Sequence, residues 1–137
     1  MKPMIAVALL ATTAQTEPAR DLDAVVAAPK NHRIVLENDE VRVLQVDVAP
    51  GETEAIHEHR WPSVLHIQSA QPAIDISFER RGGKMVETGR RRLPAGSPPA
   101  AIWVPRQGAH AVRNLGNDPF RLLRVELKKG RAAAADD

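Results

Sequence analysis

The stretch GETEAIHEHRWPS, residues 51–63, decides how this chain folds. Pro50-Gly51 forms a turn, and His57 and His59 follow with Glu58 between them. In a strand, side chains alternate with period two, so His57 and His59 share a face and Glu58 points away. A third histidine, His110, stands far downstream in GAHAVRN (108–114). Brought in from a second strand, it could close a metal site with the first two.

The flanking sequence supports strands on both sides. Upstream, HRIVLE (32–37) and EVRVLQVDV (40–48) are separated by the turn signal Asn38-Asp39. In the second run, Val41, Val43 and the pair Val46/Val48 come close to alternating with Arg42, Gln45 and Asp47. This is a half-buried strand pattern. Downstream, SVLHIQS (63–69) precedes AIDISFE (73–79), which sets Ile74, Ile76 and Phe78 against Asp75, Ser77 and Glu79. Arg81-Gly82-Gly83-Lys84 predicts a hairpin turn into MVETGRRRL (85–93). After the loop PAGSPPA come AIWVP (101–105), HAVRN (110–114) and FRLLRVEL (120–127), the last pair joined by Gly116-Asn117-Asp118-Pro119. Many short strands with closely spaced turns predict an all-β sandwich or barrel.

Composition narrows the chemistry. The 137 residues suffice for one domain. Hydrophobic residues make up 43% and aromatic ones 3%, so Val, Ile, Leu and Ala must build the core. A formal charge of +2 implies no global attraction to nucleic acid. The chain has no cysteine, so any metal must bind through nitrogen and oxygen. The basic run RRGGKMVETGRRR (80–92) reads as a solvated hairpin whose charges discourage edge pairing, because no aromatic residues interleave with it. Nucleic acid is not an expected partner.

At the N-terminus, Lys2 precedes an apolar run from Met4 to Ala11, and Thr12-Thr13-Ala14 offers small residues for cleavage. Residues 1–14 thus have the layout of a secretory signal. The run is too short for a membrane span of about 20 residues. Processing there would place the protein in the periplasm or outside the cell; without it the expected location is the cytoplasm. Residues 15–30 read as a tether, in which AVVAA (24–28) forms a short helical or extended piece. Residues 129–137 read as a frayed tail.

The glycine-then-His-x-His pattern of residues 51–59, together with Pro105, Gly108, His110 and Asn114, resembles the two motifs of the cupin family. The resemblance covers roughly 37–128 and implies a domain over 31–128: a double-stranded β-helix, or jelly-roll, barrel. VAPGE (48–52), the His-x-His and RLLRVEL (121–127) are similar in particular to small single-domain cupins, some assigned to β-alanine breakdown. The family implies a divalent metal (Fe, Zn, Ni, Cu or Mn) held by His57, His59 and His110 beside a small-molecule pocket. The motif's glutamate should fall at Ser63 or Val64, and neither is a carboxylate. Glu58 alternates away, and Glu54 has the same parity as Glu58 in a straight strand. Three-histidine sites without a carboxylate are known in cupins that act as thiol dioxygenases, so the resemblance leaves two functions open. One is a metal-dependent, dioxygenase-like activity. The other is a non-catalytic ligand-binding barrel with a degenerate metal site. Glu54, His66, Arg113 and Trp61 are candidates for contacts to substrate or to the ligands. Trp103 is expected in the core or pocket wall, and Asn114 on backbone near the second motif. A jelly roll with exposed sheet edges is expected to form homodimers.

Overall fold

The computed structural model describes residues 21–129. The signal expected at 1–14, the first part of the tether and residues 130–137 of the tail lie outside the described residues. The strand order follows the sequence pattern: α1 (Ala24–Ala27), β1 (His32–Glu37), β2 (Val41–Val48), β3 (His57–His59), β4 (Ser63–Ser69), β5 (Ala73–Arg81), β6 (Lys84–Leu93), β7 (Ile102–Val104), β8 (Gln107–Asn114) and β9 (Phe120–Leu127). They form two antiparallel sheets, β1-β2-β9-β4-β7 and β3-β8-β5-β6. Together these make the expected jelly roll, though no continuous ladder closes the two sheets into a cylinder among the described residues. The β5–β6 hairpin turns where expected. Gly82 and Gly83 have φ of 56° and 78°, the left-handed values that a two-residue turn of this kind needs.

The decisive register is β2 against β9. Val48 pairs with Phe120, Val46 with Leu122, Leu44 with Arg124, and Arg42 with Glu126. All eight are buried. Leu44, Val46, Val48, Phe120 and Leu122 form one apolar cluster, extended by Val25, Leu65 and Ile67. The other end of the same inward faces is charged. The interior is therefore apolar at one end and polar at the other. This corrects the alternation expected on β2: Val41 and Val43 lie on its less buried face, and Arg42 points inward with Leu44. Leu44 is fully buried at the boundary of the two halves. Leu44→Ala is expected to cost about 2–5 kcal/mol, because the cavity adds to the lost transfer energy. Urea denaturation would measure it.

Residues 21–30, expected within the tether, are instead packed. Asp23 caps α1 by accepting from the Val25 N–H, and Ala24 and Ala28 are buried. The Glu58 N–H donates to the Leu22 carbonyl, tying this segment to β3. The Ala28 carbonyl in turn accepts from the N–H groups of Asn31 and His32. The segment packs here because small alanines fit closely and Asp23 has a buried cation, Arg42, to meet it at 3.0 Å.

Candidate metal centre

Four of the chain's five histidines converge in the polar half. His57 and His59 come from β3, both buried, with Glu58 turned outward as alternation requires. His110 comes from β8, whose register places it opposite His57. His32 is the first residue of β1 and the only buried one in that strand. Ring centroids lie 4.4 Å apart for His32–His57, 5.1 Å for His57–His59, 4.6 Å for His57–His110 and 5.5 Å for His59–His110. Ligating atoms of His32, His57 and His59 all fall within 4.8 Å of one another.

The outer nitrogen of each ring is engaged. Nδ1 of His32 lies 3.0 Å from the Ala28 carbonyl, and Nδ1 of His57 lies 2.8 Å from the Ala55 carbonyl. Nδ1 of His59 lies 3.0 Å from Glu126 Oε1, and Nδ1 of His110 lies 2.9 Å from Asp75 Oδ1. Carbonyls and carboxylates can only accept, so each Nδ1 carries the proton. In the neutral ring Nε2 then keeps its lone pair. Fixing the tautomer through an outer acceptor is how proteins orient metal-binding histidines. Nε2 of His110 is buried and has no hydrogen-bond partner. A buried orphan acceptor is costly, and a cation beside it would remove the cost.

One carboxylic side chain, Glu54, faces the histidines. Its two oxygens lie 3.8 Å from Nε2 of His32 and of His57, and one also accepts from the Val112 N–H at 3.0 Å. Thr53 forms a bridge to Arg113 outside the named strands, so the chain before β3 does not continue its straight alternation. That is why Glu54 faces the histidines despite its parity with Glu58. Burial raises the Glu54 pKa to about 8, favouring the protonated acid in the metal-free chain.

Burial also keeps His32, His57 and His59 neutral. His32 is lowered to about 4, chiefly by desolvation, and His57 and His59 are driven lower by the same cause. The stabilising share of neutral His32 is whole above its unfolded value of 6.5 and is lost as pH falls toward 4. For the metal-free chain, lowering the pH from 7.5 to 5 should therefore cost about 2 kcal/mol through His32 alone, with His57 and His59 acting in the same direction. Glu54 has the opposite sign, its contribution being lost as pH rises from 4.5 toward 8. Urea midpoints at the two pH values in a Glu54→Gln background, which removes the opposing contribution, check the histidine effect; an unchanged midpoint there would contradict a buried neutral cluster.

The other sequence candidates do not reach the cluster. His66 is exposed, and its Nδ1 donates to the Ala100 carbonyl at 2.8 Å. Arg113 is exposed at a β8 position whose side chain turns away from buried Asn114. Trp61 is half-buried and lies under the Arg42 guanidinium, 5.0 Å from ring centroid to Cζ, where it covers the buried ion pair. Trp103, expected in the core or pocket wall, is 61% exposed because β7 is a short edge strand. Asn114 does bind backbone, donating to the Val48 and Asp118 carbonyls.

Sequence reasoning missed His32, Glu126, Arg42 and Arg124. The scarcity of histidines was a usable signal for His32, but its place depends on the β1–β2 register. Glu126 accepts from both Arg42 and His59, and Arg42 continues to Asp23. Arg124 donates from Nε to Ser63 Oγ at 3.0 Å and from Nη2 to Gln107 Oε1 at 2.5 Å. Two clefts meet at Gln107 and Gly108. One, of about 240 Å³, includes Glu58, His59, Arg60 and Arg106; the other, of about 490 Å³, includes Asp75, Ser77, Arg91 and His110.

No protein-family model and no curated protein matches this chain. Solved structures do match it. A cupin domain from Bordetella pertussis Tohama I is 20% identical, with a TM-score of 0.51 over 71% of this chain and 91% of that one. An RmlC-like cupin family protein with a double-stranded β-helix fold, from Methanocaldococcus jannaschii, is 14% identical, with a TM-score of 0.48 over 70% of this chain and 77% of that one. Oxalate decarboxylase from Bacillus subtilis is 21% identical, with a TM-score of 0.45 over 69% of this chain and 23% of that one.

Proposed function

The chain has the cupin double-stranded β-helix fold, and we propose that it holds a divalent transition metal in the polar half of the jelly roll. His57 and His59 are the central ligands. His32, His110 and Glu54 complete the donor set from which the ion draws. The observation that carries this reading is the shared orientation: each Nδ1 faces a fixed acceptor, His32, His57 and His59 hold ligating atoms within 4.8 Å of one another, and His110 beside them has a buried Nε2 with no partner. Imidazole nitrogens with one carboxylate suit Fe, Zn, Ni, Cu or Mn. Bound there, the ion would supply a Lewis acid with positions left for water, dioxygen or substrate.

The residues themselves do the positioning. Asp75 and Glu126 fix the rings of His110 and His59, and the backbone carbonyls of Ala28 and Ala55 fix the other two. Glu54 can carry a proton or, next to a cation, a negative charge. Burial of the rings limits water to the side facing the clefts at Gln107. This supports a small-molecule site with dioxygenase-like or other metal-assisted chemistry.

Metal analysis of the full chain, as purified and after reloading with Fe, Zn, Ni, Cu or Mn, tests the proposal. About one ion per chain is expected, with at least tenfold weaker binding in His32→Ala and in His110→Ala. A chain that takes up none of the five metals would overturn it.

A further inference from the structure

Arg124 is an interior cation that no carboxylate touches directly among the described residues, with Glu126, Glu54 and Asp75 acting on it only from a distance. It is 4% exposed. Both of its side-chain hydrogen bonds go to neutral groups, the Ser63 hydroxyl and the Gln107 amide oxygen. Its neighbour on the same inward face is treated differently. Arg42 meets two carboxylates, Glu126 and Asp23. A guanidinium has five N–H donors in a planar fork, and these two bonds leave most of them unused. A buried charge compensated only from a distance, with most of its donors unused, is incompletely paired and points to an anion that visits.

The position of Arg124 says where that anion goes. It lies on the β9 face that also carries Glu126, the acceptor of His59. Its amide partner Gln107 pairs in register with His59 and borders both clefts. Its hydroxyl partner Ser63 occupies one of the two positions at which the family motif would carry a carboxylate. The chain thus has a neutral hydroxyl and a cation where a fixed negative charge was expected. We propose that Arg124 anchors an anionic subsite inside the jelly roll, beside His59, which takes the carboxylate of a small organic acid entering past Gln107.

A carboxylate matches the guanidinium fork in plane and spacing and can accept two parallel bonds. Arg124 itself is buried behind Gln107, which borders both clefts, so the acid must be small enough to take the place of the Gln107 amide. Entry would turn the Gln107 amide away and replace its single bond to Arg124 with charge-assisted ones. This rests on the proposed function only in having a metal next to the bound acid; the subsite itself is present in the metal-free chain.

The test is titration of the full chain with acetate, malonate and succinate, with acetamide as the uncharged control. It is run once metal-free and once zinc-loaded, with metal content measured separately. The carboxylates should bind and raise the melting temperature, and the Arg124 Nε–H resonance of the wild-type chain should move as they are added. Acetamide should do neither. Arg124→Gln should weaken carboxylate binding at least tenfold, with Arg124→Lys between it and wild type. Carboxylates that bind no better than acetamide, or an Arg124 resonance that stays still, would overturn the proposal. So would carboxylate binding that is equal in the glutamine variant. The resonance arm needs no variant, so misfolding of a substituted chain leaves the test intact. Carboxylate binding by a chain that takes up no metal would defeat the metal reading while sustaining this one.

Discussion

Glu126→Ala should destabilise the protein by about 3–5 kcal/mol and weaken metal binding 10–100-fold at the same time. The carboxylate is fully buried and serves two partners, Arg42 through Oε2 and His59 through Oε1. Its removal leaves Arg42 with Asp23 alone and leaves the His59 Nδ1–H without an acceptor. The first loss is a buried charge stripped of half its compensation. The second frees the ring to turn and to exchange tautomers. Glu126→Gln separates the two: its amide oxygen can still accept from one partner, so less stability should be lost than with alanine. Urea denaturation and metal titration of both variants check this. An alanine variant as stable as wild type would mean that the Arg42–Glu126 pair is dispensable.

His57→Ala combined with His59→Ala should abolish stoichiometric metal uptake. These side chains are the centre of the cluster, and each contacts the other's ring and that of His110. The consequence is also thermodynamic. Metal at about 100 times its Kd adds about 2.7 kcal/mol to the stability of a chain that binds it only when folded. Wild type should therefore melt higher with metal present, and the double variant should show no shift. Without metal, the variant should also lose less stability between pH 7.5 and 5, since two buried neutral imidazoles are gone. Equal melting shifts in the two proteins would place the metal elsewhere.

Much of the fold was legible because strands announce themselves locally. HRIVLE, EVRVLQVDV and FRLLRVEL carry strand-forming residues between turn signals, and Gly82-Gly83 supplies the left-handed backbone of a hairpin. The His57/His59 pair was legible for the same reason, since one intervening residue is all that period two requires. His66 shows the limit. Alternation allowed it inward or outward, and the β4 register turned it toward the Ala100 carbonyl instead. Arg42 shows a second limit. A charged residue between valines reads as solvent-facing, but here the inward face carries the charge, because Asp23 and Glu126 arrive from distant segments to meet it.

The amino-acid sequence alone determined the strand order, the pairing of His57 with His59 and the absence of a motif carboxylate at Ser63 and Val64. Those depend on neighbours along the chain. Only the tertiary structure decided that His32 joins the cluster, that Glu54 faces the histidines and that Arg124 lies against Ser63. Each of these depends on which strand lies beside which, and in what register. Period two says which residues share a face, but the face that turns inward is set by partners far away in the chain.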